Sequence, residues 1–442
     1  MLANTFCELE KHGDVCKCRV CGATTLPSAI PCERTSRPCN PGRAKMPNLV
    51  ARGVSVAAAA TRWAVAGAPL RPEADRQRAD SICRACDYRT TDGACLVCGC
   101  YLAPKTAMAT ERCPAGKWGW KFEGIQLVRG ADEWIGQNYH RSGWPAAMAA
   151  LAGLHGPRGI LFEAFAEKRF CYPQPGPLAP ILRPWVGVFH HPWGRHELMA
   201  NKDMPQNYFA RDEWQQSVRY LRLALFFSDW ARAAYAPRMN CPTLVVRHPT
   251  AAAERWEFAR WRAEPTLAQV GWYLRNTRAI HQVAIPHNVA RVKLWPGDYS
   301  WIHDWDDKVA RWWRARGDRP EVAGHQVAQI TRLPDAAYDR LMAGAVVLSE
   351  VFDSSANNVT VECIARETPL LINRHPAVVE YLGTEYPGYW SDPTEVAALL
   401  EPARVAAIHE YLVARGSADL SFEAWKNNVG EAVAALAANC PP

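Results

Sequence analysis

From about Ala131 onward the sequence alternates short, mostly apolar runs with helical patterns, and that alternation leaves few folds open. The runs Trp185–Phe189, Leu223–Phe227, Leu244–Arg247, Val292–Trp295, Val327–Ile330, Ala345–Leu348 and Leu370–Asn373 read as strands. Helical patterns over Asp306–Arg316, Ala336–Met342 and Ala403–Arg415 fall between or after them. Strands separated by helices pair in parallel, with helices covering both faces of the sheet. At 442 residues a single core is too few. The expectation is an α/β fold of two Rossmann-like lobes, 131–250 and 251–442, divided near Thr250 after a strand closing in His248-Pro249.

The front third is a different material. Of the sixteen cysteines, those before Ile125 are Cys7, Cys16, Cys18, Cys21, Cys32, Cys39, Cys83, Cys86, Cys95, Cys98, Cys100 and Cys113. Cys83-x2-Cys86 and Cys95-x2-Cys98-Gly99 are paired knuckles, and two such turns can present four thiolates tetrahedrally to one zinc ion. Cys100 and Cys113 compete for the same four places. In 1–45, Cys18-x2-Cys21-Gly22 repeats the knuckle, and Cys32 with Cys39 can complete a second site. One or two structural zinc ions are expected, because an all-sulfur ligand set leaves no open catalytic position. Iron in a rubredoxin-like carrier is the minor alternative. Between the clusters, 46–82 reads as a helical linker, and 83–123 is the second module. Its Cys-x2-Cys, Cys-Gly-Cys, Lys105 and Cys113-Pro114-x2-Lys117-Trp118 resemble a small zinc ribbon of the kind found beside diverse enzyme domains.

Charge follows the same division. Residues 1–123 carry 18 of the 51 basic and 11 of the 44 acidic residues, so the whole surplus of +7 sits there. Cations beside thiolates account for it, or a nucleic-acid or protein partner does. The stretch from Val54 to Leu70 is too short to span a bilayer and is broken by Arg62. The N-terminus lacks a basic region followed by an apolar one, so a cytoplasmic protein without a membrane span is expected.

The chemistry concentrates in Ser354-Ser355-Ala356-Asn357-Asn358-Val359-Thr360-Val361-Glu362. A polar turn opens a helix there, and a carboxylate sits one turn in. Amide N–H groups at a helix N-terminus meet phosphate, and a carboxylate beside them can hydrogen-bond a ribose. With Asp353, Thr368-Pro369 and Glu380-Tyr381-Leu382-Gly383, the segment resembles the donor lobe of GT-B glycosyltransferases. The resemblance covers roughly 131–435. It implies a nucleotide-sugar donor held by Gly271, Arg275, Asn357, Asn358 and Glu362, with Glu362 on the ribose.

In that family an acidic residue precedes the Glu by eight positions. Here that position is Ser354, with Asp353 one residue away as the candidate catalytic acid. In Val270-Gly271-Trp272-Tyr273-Leu274-Arg275, Trp272 stands where the family has an arginine, so Arg275 or Arg278 has to supply the charge. Arg141-Ser142-Gly143-Trp144-Pro145 looks like the loop of the acceptor lobe that faces the cleft. His190 and His191 close a strand, where open sheets place ligands, and are candidate catalytic residues. GT-B members meet the leaving diphosphate with cations and a helix N-terminus, so no catalytic divalent metal is expected. Asp304-x-Asp306 matches a metal-binding pair in letter but lies in a Trp-rich helix start. The expected function is sugar transfer to an unknown acceptor. The alternative is a non-catalytic binding protein on a degenerate transferase scaffold, its basic zinc modules contacting nucleic acid or an assembly.

Overall fold

The computed structural model describes residues 46–128, 143–171, 179–194, 198, 205–251, 254–317, 319, 321–322 and 326–440. Nearer the N-terminus it describes only the backbone of β1 (Leu9–His12), β2 (Val15–Cys18) and β3 (Thr24–Thr25), paired antiparallel in that order. Cys21, Cys32, Cys39, Arg141 and Ser142 lie outside the described residues, and Cys18 is described by its backbone alone.

The alternation predicts parallel sheets, and two are observed. β4 (Ile125–Leu127), β5 (Ile160–Glu163), β6 (Trp185–Phe189), β7 (Leu221–Phe226) and β8 (Thr243–Val245) pair in parallel in sequence order. On β6, Val186 and Val188 enter a core with Leu223 and Leu225, while Trp185 and Phe189 enter another with Leu221 and Phe226. Successive side chains point to opposite faces, so a strand apolar at every position has to be covered on both.

The second sheet contains β9 (Thr266–Val270), β10 (Ala290–Trp295), β11 (Ala328–Thr331), β12 (Val346–Ser349), β13 (Leu370–Asn373) and β14 (Tyr389–Trp390). Its order is β11-β10-β9-β12-β13-β14, again parallel. The order reverses between β9 and β12, and a crevice opens at the carboxyl ends of strands at such a reversal.

Two boundaries differ from those expected. The first sheet begins at Ile125, ahead of residue 131. The helix Phe422–Ala438 leaves the second lobe and lies on the first: Trp425 Nε1 donates to the Ala147 carbonyl at 3.0 Å. Val429, Val433 and Leu436 on the same helical face are buried with Trp144, Met148 and Ile160. Sequence contiguity assigned this helix to 251–442, but its apolar stripe is buried where the first sheet still needs cover.

The lobes also meet through side chains. The Glu380 carboxylate accepts from the amides of Asp229 (2.6 Å) and Trp230 (2.7 Å), at the N-terminus of helix Asp229–Tyr235. Tyr381 donates its hydroxyl to the Phe227 carbonyl at 2.8 Å and accepts from the His248 amide at 3.2 Å. In the linker, helices Leu49–Val65 and Glu73–Arg84 start on an Asn48 side-chain cap and on two first-turn acids, Glu73 and Asp75. Arg62 clasps the buried Glu111 carboxylate, tying the first of these helices to the cysteine module. Among the described residues no helix is long and apolar enough to cross a membrane.

Candidate active site

Both sheets turn their carboxyl ends toward one cleft of about 1050 Å³. Phe165, His190, Phe227 and His248, which follow β5 to β8, line one wall. The other is built by Gly271–Arg275 after β9, Arg332 and Leu333 after β11, and Asp353–Val359 after β12. Tyr338 and Glu362 reach in from helices Asp335–Gly344 and Asn358–Arg366. His190, His191, Gly271, Arg275, Asp353, Asn357, Asn358 and Glu362 therefore share a single cleft, although they are scattered over more than 170 positions of sequence.

Asn357 is the organising residue of the second wall. Its side chain caps helix Asn358–Arg366, accepting from the Thr360 amide, and also accepts from Arg275 Nη2 at 2.8 Å. Gly271 makes room for that guanidinium. Its φ of +83° suits glycine, and a Cβ there would fall 2.3 Å from Arg275 Nη1. Burial pushes the Arg275 pKa down to about 10, against the pull of Tyr338 and Glu362, so the group is still ionised at neutral pH. Its Nε is buried without a hydrogen-bond partner among the described residues. Glu362 is 2% exposed and accepts from the Tyr338 hydroxyl at 2.6 Å. The site thus offers a cation, the free amides of a capped helix start and a buried carboxylate, side by side.

Arg278, the other candidate for that charge, is elsewhere. It pairs with Asp306 at 3.1 Å and with Glu321, and does not line the cleft. Asp304 lines the cleft while Asp306 is held by Lys293 and Arg278, so the two acids do not act as a pair. Glu350 is bound by Arg319 and by Asn276 and serves the loop behind the site. Trp272 lies in the cleft wall, with its ring 4.7 Å from that of Trp301.

Asp353 is more engaged than the sequence suggested. Its Oδ1 accepts from Trp230 Nε1 at 3.2 Å, across the lobe boundary, and lies 3.3 Å from His375 Nε2. Burial pushes the carboxyl pKa up, but the contacts with His375 and Trp230 outweigh it, and the net shift is below the ordinary value.

On the first wall, His190 Nε2 donates to the Ala164 carbonyl at 2.9 Å, which leaves Nδ1 as the lone-pair nitrogen. The ring stacks on Phe165 at 3.9 Å and meets Trp144 edge-on at 4.4 Å. Burial holds its pKa well below the usual histidine range, so the neutral form prevails. His191 is 4% exposed and faces Tyr273 of the second lobe. Both backbone amides donate to Glu167, at 3.0 to 3.1 Å. Glu167 is fully buried, and burial pushes its carboxyl up to about 7.

The sequence reading missed Glu167, Tyr338, Trp230 and His375. None lies in a recognisable pattern, and each acts on a residue 22 or more positions away that only the fold brings near. His248, read as closing the strand at the lobe division, also lines the cleft.

In the cysteine module, Cys83, Cys86, Cys95, Cys98 and Cys113 border a small cavity of about 20 Å³. Cys100 does not border it, and its sulfur lies 3.3 Å from the Ser55 hydroxyl. None of the ten cysteines whose side chains are described forms a disulfide with another of them. Among the described residues no three His, Cys, Asp or Glu side chains are already disposed as the ligands of a metal.

No protein-family model matches the sequence, and no curated protein matches it. Solved structures resemble it in outline. HepE of Anabaena in complex with UDP-glucose is 13% identical, with a TM-score of 0.42 over 57% of this chain and 72% of that one. A sucrose-phosphate synthase from Thermosynechococcus elongatus is 14% identical, with a TM-score of 0.43 over 63% and 74%. An α,α-trehalose-phosphate synthase (UDP-forming) from Burkholderia vietnamiensis is 14% identical, with a TM-score of 0.42 over 67% and 77%. Likeness of this degree decides nothing about what this chain binds or does.

Proposed function

We propose that the cleft transfers a sugar from a nucleoside-diphosphate donor to an acceptor hydroxyl. The observation that carries the reading is the cluster at the strand-order reversal: Arg275 bonded to the Asn357 cap, with Glu362 and Tyr338 beside it. In the reaction the bond from the sugar's anomeric carbon to the diphosphate oxygen breaks, and one to the acceptor oxygen forms. The acceptor's proton is released, and the diphosphate departs with the electron pair. Arg275 and the amides at the start of helix Asn358–Arg366 meet that growing charge, which is the kind of stabilisation worth most in a water-poor cleft. Glu362 accepts from the donor ribose. His190, held as the Nε2–H tautomer, presents Nδ1 to a substrate hydroxyl from the acceptor wall.

A thermal-shift screen of UDP-, GDP- and ADP-sugars tests this. At least one raises the melting temperature of the parent chain, and Glu362→Ala abolishes the rise. No shift from any donor would sink the reading.

Two observations favour a second reading. Asp353 is already engaged by Trp230 and His375, and Trp272 lines the cleft at the position where the sequence resemblance implies a phosphate-binding arginine. A scaffold that binds nucleotide without turning it over fits those two facts. It is told apart by release of free nucleoside diphosphate, which a transferase gives with acceptor or slowly with water, and a binding protein does not.

A further inference from the structure

We infer that the cysteine module holds one zinc ion through Cys83, Cys86, Cys113 and one sulfur of the Cys95–Cys98 pair, and that Cys100 is not a ligand. Five sulfurs border a cavity of about 20 Å³, which is room for a guest of roughly one water's size. The donors around them suit thiolates. The amides of Val97 and Cys98 face the Cys95 sulfur, and those of Ala115 and Lys117 face the Cys113 sulfur. Trp118 Nε1 donates to Cys83 at 3.3 Å.

Two ammonium groups complete the setting. Lys117 Nζ donates to Cys86 at 3.1 Å, and Lys105 Nζ, on a side chain 8% exposed, donates to Cys98 at 3.4 Å. Lys105 also lies 4.0 Å from the buried Glu111 carboxylate, but Arg62 already matches that charge, and four neutral thiols give a second buried cation little reason to be there. Four thiolates on a divalent ion carry two negative charges, which Lys105 and Lys117 balance one for one. Cys98 hydrogen-bonds both Cys95 and Cys100, and no three of the sulfurs are yet disposed as ligands, so side chains have to rotate before four sulfurs turn toward the ion. Binding converts four thiols to thiolates and releases their protons, with no change of oxidation state.

The module's own apolar material is sparse: its two small clusters count Cys83, Cys113 and Cys95 among their buried members. A metal would therefore stand in for a core. The module is seated at the amino ends of β6 and β7, where a Cβ on Gly116 would fall 2.7 Å from Pro184 and where Cys440 Sγ donates to the Gly116 carbonyl at 3.1 Å. That is the edge of the first sheet opposite the cleft, so the ion is structural.

The test is zinc content of the purified full chain by elemental analysis, read as the difference from the parent because the 1–45 cluster is expected to hold its own metal. Cys83→Ser, Cys86→Ser, Cys113→Ser and the double variant Cys95→Ser/Cys98→Ser each lower the count by one ion per chain, whereas Cys100→Ser leaves it unchanged. Should the serine variants fail to fold, cobalt replacement in the parent gives the answer. It shows the thiolate-to-metal charge-transfer band and ligand-field spectrum of a tetrahedral all-sulfur site, at equal intensity in parent and Cys100→Ser. A parent chain without zinc, or a Cys100→Ser variant that loses an ion or the cobalt spectrum, overturns the assignment.

Discussion

Replacing Gly271 by alanine asks whether the Arg275 guanidinium is placed by the absence of a side chain beneath it. The methyl would stand 2.3 Å from Nη1, while ordinary contact begins near 3.4 Å, so the guanidinium has to retreat by about an ångström. Its 2.8 Å bond to Asn357 does not survive such a move in place. A charge-assisted hydrogen bond of this kind is worth about 1.5–3 kcal/mol, so affinity for a nucleoside diphosphate falls roughly 10- to 150-fold. Alanine at a φ of +83° costs about 1 kcal/mol more in stability, which lowers the melting temperature without touching the ligand. Calorimetric titration with UDP, GDP and ADP measures the affinity, and Arg275→Ala completes the cycle. If Gly271 acts through Arg275, the double variant binds no more weakly than Arg275→Ala alone. Full affinity in Gly271→Ala, or losses that simply add, would refute the reasoning.

Two further outcomes follow from buried groups. Glu167 has a folded pKa of about 7 against an ordinary 4.5, so its contribution to stability is full below the lower value and is lost as pH rises through the upper one. The loss is roughly 3 kcal/mol, with Glu163, Tyr208, Tyr235 and the two histidine amides the groups that face it. In Glu167→Gln, urea unfolding between pH 5 and pH 8 shows a shallower decline than the parent, and an unchanged slope contradicts the assignment. Trp425→Ala removes a fully buried ring and its bond to Ala147. It costs about 3–5 kcal/mol in urea, the range for a buried aromatic, and a cost below 1 kcal/mol would mean the helix is not part of the first core.

Much of the fold is legible because strands buried on both faces write themselves as apolar runs. Trp185–Phe189 and Leu370–Asn373 coincide with β6 and β13. Thr266–Val270 is harder to see, since its Gln269 is buried but satisfied, donating to Asn276 and accepting from Ile280. The second wall of the cleft was legible because Gly271, Arg275, Asn357 and Glu362 come from two short stretches, a loop and a capped helix start, with local signatures: a turn glycine and a side-chain cap. What choose between Arg275 and Arg278 are Asp306 and Glu321, 28 and 43 residues beyond Arg278, and no spacing rule reaches them. The same holds for Trp230 on Asp353 and for Glu167 under the histidines. The last helix shows the limit most clearly, since an apolar stripe states that it will be buried but not against which lobe.

That helix also bears on how the protein is made. The first lobe's core takes in Trp425, Val429 and Leu436, whereas the buried residues of the second lobe's core end at Leu420. During synthesis the first sheet is complete at Val245 yet waits for its covering helix while almost 200 further residues are added. At 5–20 residues per second that is roughly 10–40 s. The lobe encoded second therefore closes its core before the lobe encoded first, and through that interval one face of the early sheet is covered in part, by helix Trp144–Ala150, and otherwise open to solvent.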